Sequence, residues 1–223
     1  MDIISLTLFS LISILISVGL IEIFFHKKAL GNLPIRIHVN GTRGKSSVTR
    51  LIAAGLRESG FKTLAKTTGT TPRIINDKGR DIEIHRLRSA SIGEQIKLMR
   101  YFSKKNPDAI VIECMAVNPQ YQWVSEHRII NSTISVITNV RPDHLDEMGS
   151  TMSDISYSLS NTIPFNGSFI TAERDYCEEF EEIAKKRNTV INIVESNNCL
   201  YTDLMERLFD LRKTFLCLSF LLR

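Results

Sequence analysis

The chain has 223 residues, enough for one sizeable domain with an appendage and too few for several. Its formal charge is a mild +4 and no basic stripe is interleaved with aromatics, so nucleic acid is not an expected partner. Cys114, Cys177, Cys199 and Cys217 lack C-x-x-C or metal-finger spacing, which excludes a cysteine framework and predicts free thiols in a reducing compartment.

From the N-terminus, Ile3 to Ile21 carries no charge. As a helix at about 1.5 Å per residue, that run reaches roughly 28 Å, close to the hydrocarbon thickness of a bilayer. Phe24, Phe25, His26, Lys27 and Lys28 follow, an aromatic-then-basic edge of interfacial type. A cleaved signal peptide fits less well, because no basic residue precedes the run and no small-x-small site closes it. The sequence predicts an anchor over residues 1–28 and a second unit over 29–223. Basic residues after the span predict a single-pass protein of the cell membrane with residues 29–223 on the cytoplasmic side.

Gly31, Asn32 and Pro34 predict a short linker, and the alternation of Ile35, Ile37 and Val39 a strand. Lys45 to Ser59 predicts a helix with Val48, Leu51, Ile52 and Leu56 on its inner face and Gly60 as its cap. Thr63 to Lys66 predicts a second strand, entering a loop (TTGTTPR) rich in hydroxyl and backbone donors. Residues 80–88 alternate as a hairpin arm does. Ser91 to Lys105 predicts a helix with Ile92, Ile96, Leu98, Met99 and Phe102 as its apolar set.

DAIVIECMA, from Asp108, and ISVITNV, Ile134 to Val140, are continuous apolar runs, as expected of strands buried on both faces. GSFITA and TVINIV predict weaker strands. Between them Asp175 to Arg187 predicts a charged helix with Glu181–Lys185 and Glu182–Lys186 pairs. Strands alternating with helices predict an α/β fold with a mostly parallel sheet covered on both sides. The final run from Thr214 (TFLCLSFLL) fits a core strand, a core helix or a disturbed reading frame.

HVNGTRGKSSVTR, His38 to Arg50, sits between the first predicted strand and the following helix. The general P-loop places its first glycine where Val39 stands, so that pattern is incomplete. Gly41-Thr42-Arg43-Gly44-Lys45-Ser46 still has what a phosphate cradle needs. Two glycines allow a tight turn and close approach to anionic oxygens. The amides of Gly44, Lys45, Ser46 and Ser47 fall at the positive end of a helix. Lys45 is placed to sit over outer phosphates and the Ser46 hydroxyl to hold Mg²⁺. The competing reading is a chance Gly-Lys-Ser turn.

Glu113 ends a buried strand, where a carboxylate costs free energy unless it is paired or holds a metal. The alternative is a strand end reaching solvent. TNVRPDHLDEMG, from Thr138, follows the next strand and brings Asn139, Asp143, His144 and Asp146 to the same sheet edge, where parallel-sheet enzymes place ligands. His26, His38, His85 and His127 are expected to be ordinary surface or core histidines.

HVNGTRGKSSVTR, KTTGTTPR, VIECMAV and TNVRPDHLDEMG, in this order and spacing, resemble the Mur ligase superfamily. The arginine in the phosphate loop and the preceding apolar segment narrow the likeness to the ligase subunits of bacterial poly-γ-glutamate synthases. The resemblance implies a P-loop central domain, ATP and Mg²⁺ as cofactors, and amide ligation through an acyl phosphate. By position it implies that Lys45 and the loop amides bind phosphates, and that Ser46 and Glu113 bind the first Mg²⁺. It implies that His144 helps bind a second, although histidine is an unusual ligand for so hard a cation. Thr70 and Thr71 fall where family members close over metal and phosphate. Arg73, Arg80, Arg86 and Arg88 are candidates for a polyanionic chain end, against the plain reading of a solvated basic face. Implied partners are glutamate, the poly-γ-glutamate chain, the membrane and small integral membrane subunits for synthesis and export.

Two departures stand out. Many Mur ligases carry a carbamylated lysine fifteen residues after the motif histidine, and here that place is Leu159. The second metal is then held differently, or water and Asp146 substitute. The superfamily also has a further C-terminal domain that this length does not accommodate, so the sequence is expected to be a fragment, a truncated product or a frameshifted copy. Three functions stay open at this point: an anchored poly-γ-glutamate ligase, an anchored P-loop ATPase or kinase, and a truncated homologue that binds nucleotide only.

Overall fold

The computed structural model describes residues 3–69, 71–84 and 93–194. Helix α1, Ile3–Gly31, is one continuous rod. Its apolar side chains from Ile3 to Phe25 are exposed, and its best window has a mean hydropathy of 2.5. Only the last turns meet the body of the protein. His26 and Ala29 are buried, His26 Nε2 lies 2.8 Å from the Ile129 carbonyl, and Arg100 is paired with Glu22.

The predicted linker is tighter than its composition suggests. Gly31 is the last helical residue, Asn32 and Leu33 close on the carbonyls of Ala29 and Leu30, and Leu33 is fully buried. Helix α1 therefore runs into the sheet without a flexible joint.

Eight strands form one sheet in the order β4-β3-β2-β5-β1-β6-β7-β8. They are β1 Ile35–Asn40, β2 Thr63–Thr67, β3 Arg73–Ile75, β4 Asp81–Glu83, β5 Ala109–Glu113, β6 Ile134–Ile137, β7 Ser168–Thr171 and β8 Val190–Ile193. Six strands are parallel, and β3 and β4 add an antiparallel hairpin at one edge. β1 lies between β5 and β6, and the chain builds outward from it in both directions. The crevice beyond the C-terminal ends of β1 and β6 is thus a switch point, where open α/β sheets bind ligands.

Helix α2, Lys45–Glu58, packs Ile52, Ala53 and Leu56 on β1, β2 and β5 in one apolar cluster. It ends as predicted. Gly60 adopts φ +85°, and the amides of Gly60 and Phe61 return to the carbonyls of Arg57 and Leu56. Leu51 departs from its expected inner position and is 70% exposed, because Thr49, Ala53 and Gly55 complete the inner face instead.

Helix α3, Gly93–Ser103, buries Leu98, Met99 and Phe102 on the opposite side of the sheet. Helices α5 Leu145–Met148, α6 Met152–Ser160 and α7 Cys177–Lys186 cover β6 and β7. Of the two predicted ion pairs on α7, Glu182–Lys186 closes at 2.6 Å. His85, Ile92, Cys199, Cys217 and the run from Thr214 lie outside the described residues.

The even-numbered side of β1 is polar and yet buried. Its Asn40 amide donates to Gln122 of α4 (Pro119–Val124) at 2.7 Å, and Gln122 donates to Ser158 at 3.1 Å. His38 Nδ1 meets Glu126 at 2.7 Å, and Glu126 also accepts from the amide and hydroxyl of Ser132. Glu126 belongs to a π-helix, Ser125–Ile130, that continues α4 and had no counterpart in the predicted elements. Burial alone draws His38 toward its neutral form, but neighbouring Cys114 and the Glu126 carboxylate outweigh it and push the pKa up to about 9.

Candidate functional site

The β1–α2 loop, Gly41 to Gly44, rises directly from the central strand. Gly41 has φ +126°, and a Cβ there would stand 2.1 Å from Thr138 Oγ1 and 2.9 Å from the Thr138 amide. Only glycine lets the loop lie this close to the segment after β6. Gly44 takes φ +78° and turns the chain into α2.

Asn139 laces the loop in place. Its Oδ1 accepts from Thr42 Oγ1 at 2.7 Å and from the Arg43 amide at 3.1 Å, while its Nδ2 donates to the Arg43 carbonyl at 3.1 Å. Thr138 Oγ1 donates to the same carbonyl at 2.7 Å. The Arg43 amide is therefore spent inside the loop. The amides of Lys45, Ser46 and Ser47 open α2, have no acceptor within the helix, and are capped by no side chain. Lys45 Nζ lies over the loop, donating to the carbonyls of Gly41 at 2.7 Å and Thr42 at 3.3 Å.

Ser46 and Glu113 are brought together. Ser46 Oγ lies 2.8 and 3.0 Å from the two carboxylate oxygens, and the Thr68 amide donates to Glu113 at 2.7 Å. Glu113 is 3% exposed, so the alternative of a strand end in solvent is excluded. Its hydrogen-bond partners are neutral, and it makes no salt bridge among the described residues. A buried carboxylate supported only by neutral donors, next to a hydroxyl, is a hard oxygen pair that suits Mg²⁺.

His144 lies on the other wall. It has φ +45°, a left-handed conformation that costs a non-glycine residue about 1–2 kcal/mol, and is 3.9 Å from Asp143. Asp143 in turn is 3.5 Å from Arg43 of the phosphate loop. No contact joins His144 to Ser46 or Glu113 among the described residues, nor do these hold a cluster of three potential ligands. Asp146 sits on the exposed first turn of α5, and Leu159 is fully buried in the cluster over β7.

The loop that carries His144 is tied from below. Glu173 accepts from the Val140 amide at 2.8 Å and from the amides of Arg174 and Asp175. Burial pushes its carboxyl up, but these amides outweigh that and hold it below the usual range. Thr70 lies outside the described residues and Thr71 is exposed. Arg73 is 3.8 Å from Asp81, which already takes two hydrogen bonds from Arg50, so it is partly committed to the β3–β4 hairpin. Arg86 and Arg88 are not among the described residues. Asn139 and Glu173 are the positions whose part was not read from the sequence; the visible signal was polar residues directly after an apolar strand.

The chain is similar to known proteins. The chain is 40% identical over 200 residues to PGA synthase CapB of Bacillus subtilis (strain 168), covering 89% of itself and 50% of that protein. It is 38% identical over 199 residues to capsule biosynthesis protein CapB of Bacillus anthracis, covering 88% and 42%. The chain thus spans about half the length of these relatives or less. Among solved structures, E. coli FolC in complex with ADP superposes with a TM-score of 0.61 at 15% identity, covering 78% of this chain and 46% of that one. An FPGS–AMPPCP complex gives 0.56 at 21%, covering 78% and 50%. Both show the same fold. The Mur ligase middle domain matches residues 39–214, from the end of β1 through the phosphate loop and every residue that laces it, and the chain belongs to the Mur ligase family.

Proposed function

We propose that this domain binds ATP with Mg²⁺ and serves an amide ligase that adds glutamate to poly-γ-glutamate. One observation carries the nucleotide half: three uncapped amides at the start of α2 adjoin the half-buried Ser46 hydroxyl and its partner, the buried Glu113 carboxylate. The likeness to the two CapB proteins supports the substrate.

In this reading a terminal carboxylate oxygen attacks the γ-phosphorus of ATP and ADP leaves. The amine nitrogen of glutamate then attacks the acyl carbon, phosphate leaves, and the nitrogen gives up a proton. The protein aligns the reactants and neutralises charge. The amides of Gly44 to Ser47 and the Lys45 ammonium hold the phosphates, and Thr42 and Arg43 shape the loop. Ser46 and Glu113 would hold the first Mg²⁺ and His144 would help hold a second; bound metal neutralises charge on the phosphate oxygens. Thr70, Thr71 and Arg73 are assigned to the incoming chain. The anchor and the CapB likeness support work at the membrane, with the domain on the cytoplasmic side, beside small integral membrane subunits.

The test follows nucleotide binding first. Lys45→Ala should abolish binding of a non-hydrolysable ATP analogue in calorimetry, and unchanged affinity would overturn the phosphate-loop assignment. Membranes carrying the chain, with and without partner subunits, are then given ATP and labelled glutamate. Glutamate-dependent ADP release with polymer supports the ligase. ADP without glutamate dependence shows an ATPase, and binding without either product shows a nucleotide-binding homologue.

A further inference from the structure

A cavity of about 450 Å³ opens where α1 meets α3 and the π-helix, away from the phosphate loop. Its lining includes Glu22, His26, Lys27, Arg100 and Arg128. We propose that it binds the phosphate group of an anionic membrane lipid. The proposal rests on α1 spanning a bilayer.

Charge and hydrogen-bond capacity both point to an anion. Three permanent cations face one carboxylate. Glu22 is engaged by the terminal nitrogens of Arg100, so it satisfies that side of the guanidinium. Arg100 Nε is a buried N–H with no partner. Lys27 and Arg128 form no salt bridge among the described residues; Arg128 lies over the Trp123 ring, 5.4 Å from its centroid. Unmet donors such as an arginine N–H call for an acceptor-only group, and a phosphate diester supplies one.

Position selects the source of that phosphate. Glu22 is the first charged residue after the uncharged run Ile3–Ile21. With that run in the hydrocarbon, the cavity lies at headgroup depth, where anionic lipids concentrate at the cytoplasmic surface. A free phosphate has no such reason to collect there.

Trp123 is the single tryptophan of the chain, and its emission reports on Arg128. The full chain in neutral detergent is titrated with phosphatidylglycerol, phosphatidylcholine or inorganic phosphate while Trp123 emission is followed. Phosphatidylglycerol should give a saturable change, with the other two giving none in the same range. A Lys27→Gln/Arg128→Gln pair, both exposed positions, should weaken the response about tenfold. Lys78→Gln, in the β3–β4 turn, should leave it unchanged. Equal responses to the two lipids, saturation by inorganic phosphate alone, or an unaffected double variant would each overturn the proposal. Flotation with phosphatidylcholine vesicles separates the two premises. A chain that does not float defeats the anchor, and with it this proposal; one that floats without a Trp123 response defeats the cavity alone.

Discussion

At the scale of single residues, the site depends on how closely two loops approach. Gly41→Ala would drive a methyl into Thr138 at a backbone angle that L residues rarely adopt. A loss of roughly 1–3 kcal/mol is expected, read as a lowered melting temperature in detergent together with weakened ATP binding. Glu113→Gln keeps the shape and an acceptor for Ser46 and Thr68 but removes the charge. The variant should fold, and its ATP affinity should lose its dependence on Mg²⁺; an unchanged Mg²⁺ effect in calorimetry would remove Glu113 from the metal site. Lys45, Ser46 and Glu113 were legible because glycine spacing and a buried acid are local signals. Asn139 was placed at the same sheet edge, but its lacing of the loop was not read, because that role depends on β6 lying beside β1, and pairing of distant strands leaves no trace in either segment alone.

At the scale of elements, β1 shows where periodicity misleads. Its apolar residues alternate as in a half-exposed strand, but the intervening His38 and Asn40 are buried against α4 and the π-helix. The polar partners come from residues 122–132, where polar composition hides the helices. Leu51's outward position was hidden for another reason: small residues on α2 permit closer packing than leucine does. A testable consequence is pH dependence. His38 titrates near 9 when folded and at its ordinary value near 6.5 when unfolded. A raised folded pKa stabilises fully below about 6.5, and that contribution is lost as pH rises through 9. Melting temperature should fall between pH 7 and 9.5, and Glu126→Gln should flatten the fall. The variant itself should cost about 3–5 kcal/mol, because it leaves a buried charge without its partner.

For the whole molecule, the order of helices and strands was readable because parallel strands are apolar runs, and the alternation over residues 80–88 marked the hairpin arm in which β4 lies, whereas the rigid join between α1 and the sheet was not readable. If α1 crosses the bilayer, Leu11→Arg with Ile14→Arg should cost about 2.5–3.5 kcal/mol per charge in insertion. The doubly charged chain should then leave the carbonate-washed membrane pellet while the parent stays. α1 ends three residues before β1 begins, and the phosphate loop begins where β1 ends. That six-residue strand is about 20 Å long and lies between the end of α1 and the cradle. If α1 spans a bilayer, this joint-free entry into the sheet makes the separation of the cradle from the lipid surface a fixed property of the fold.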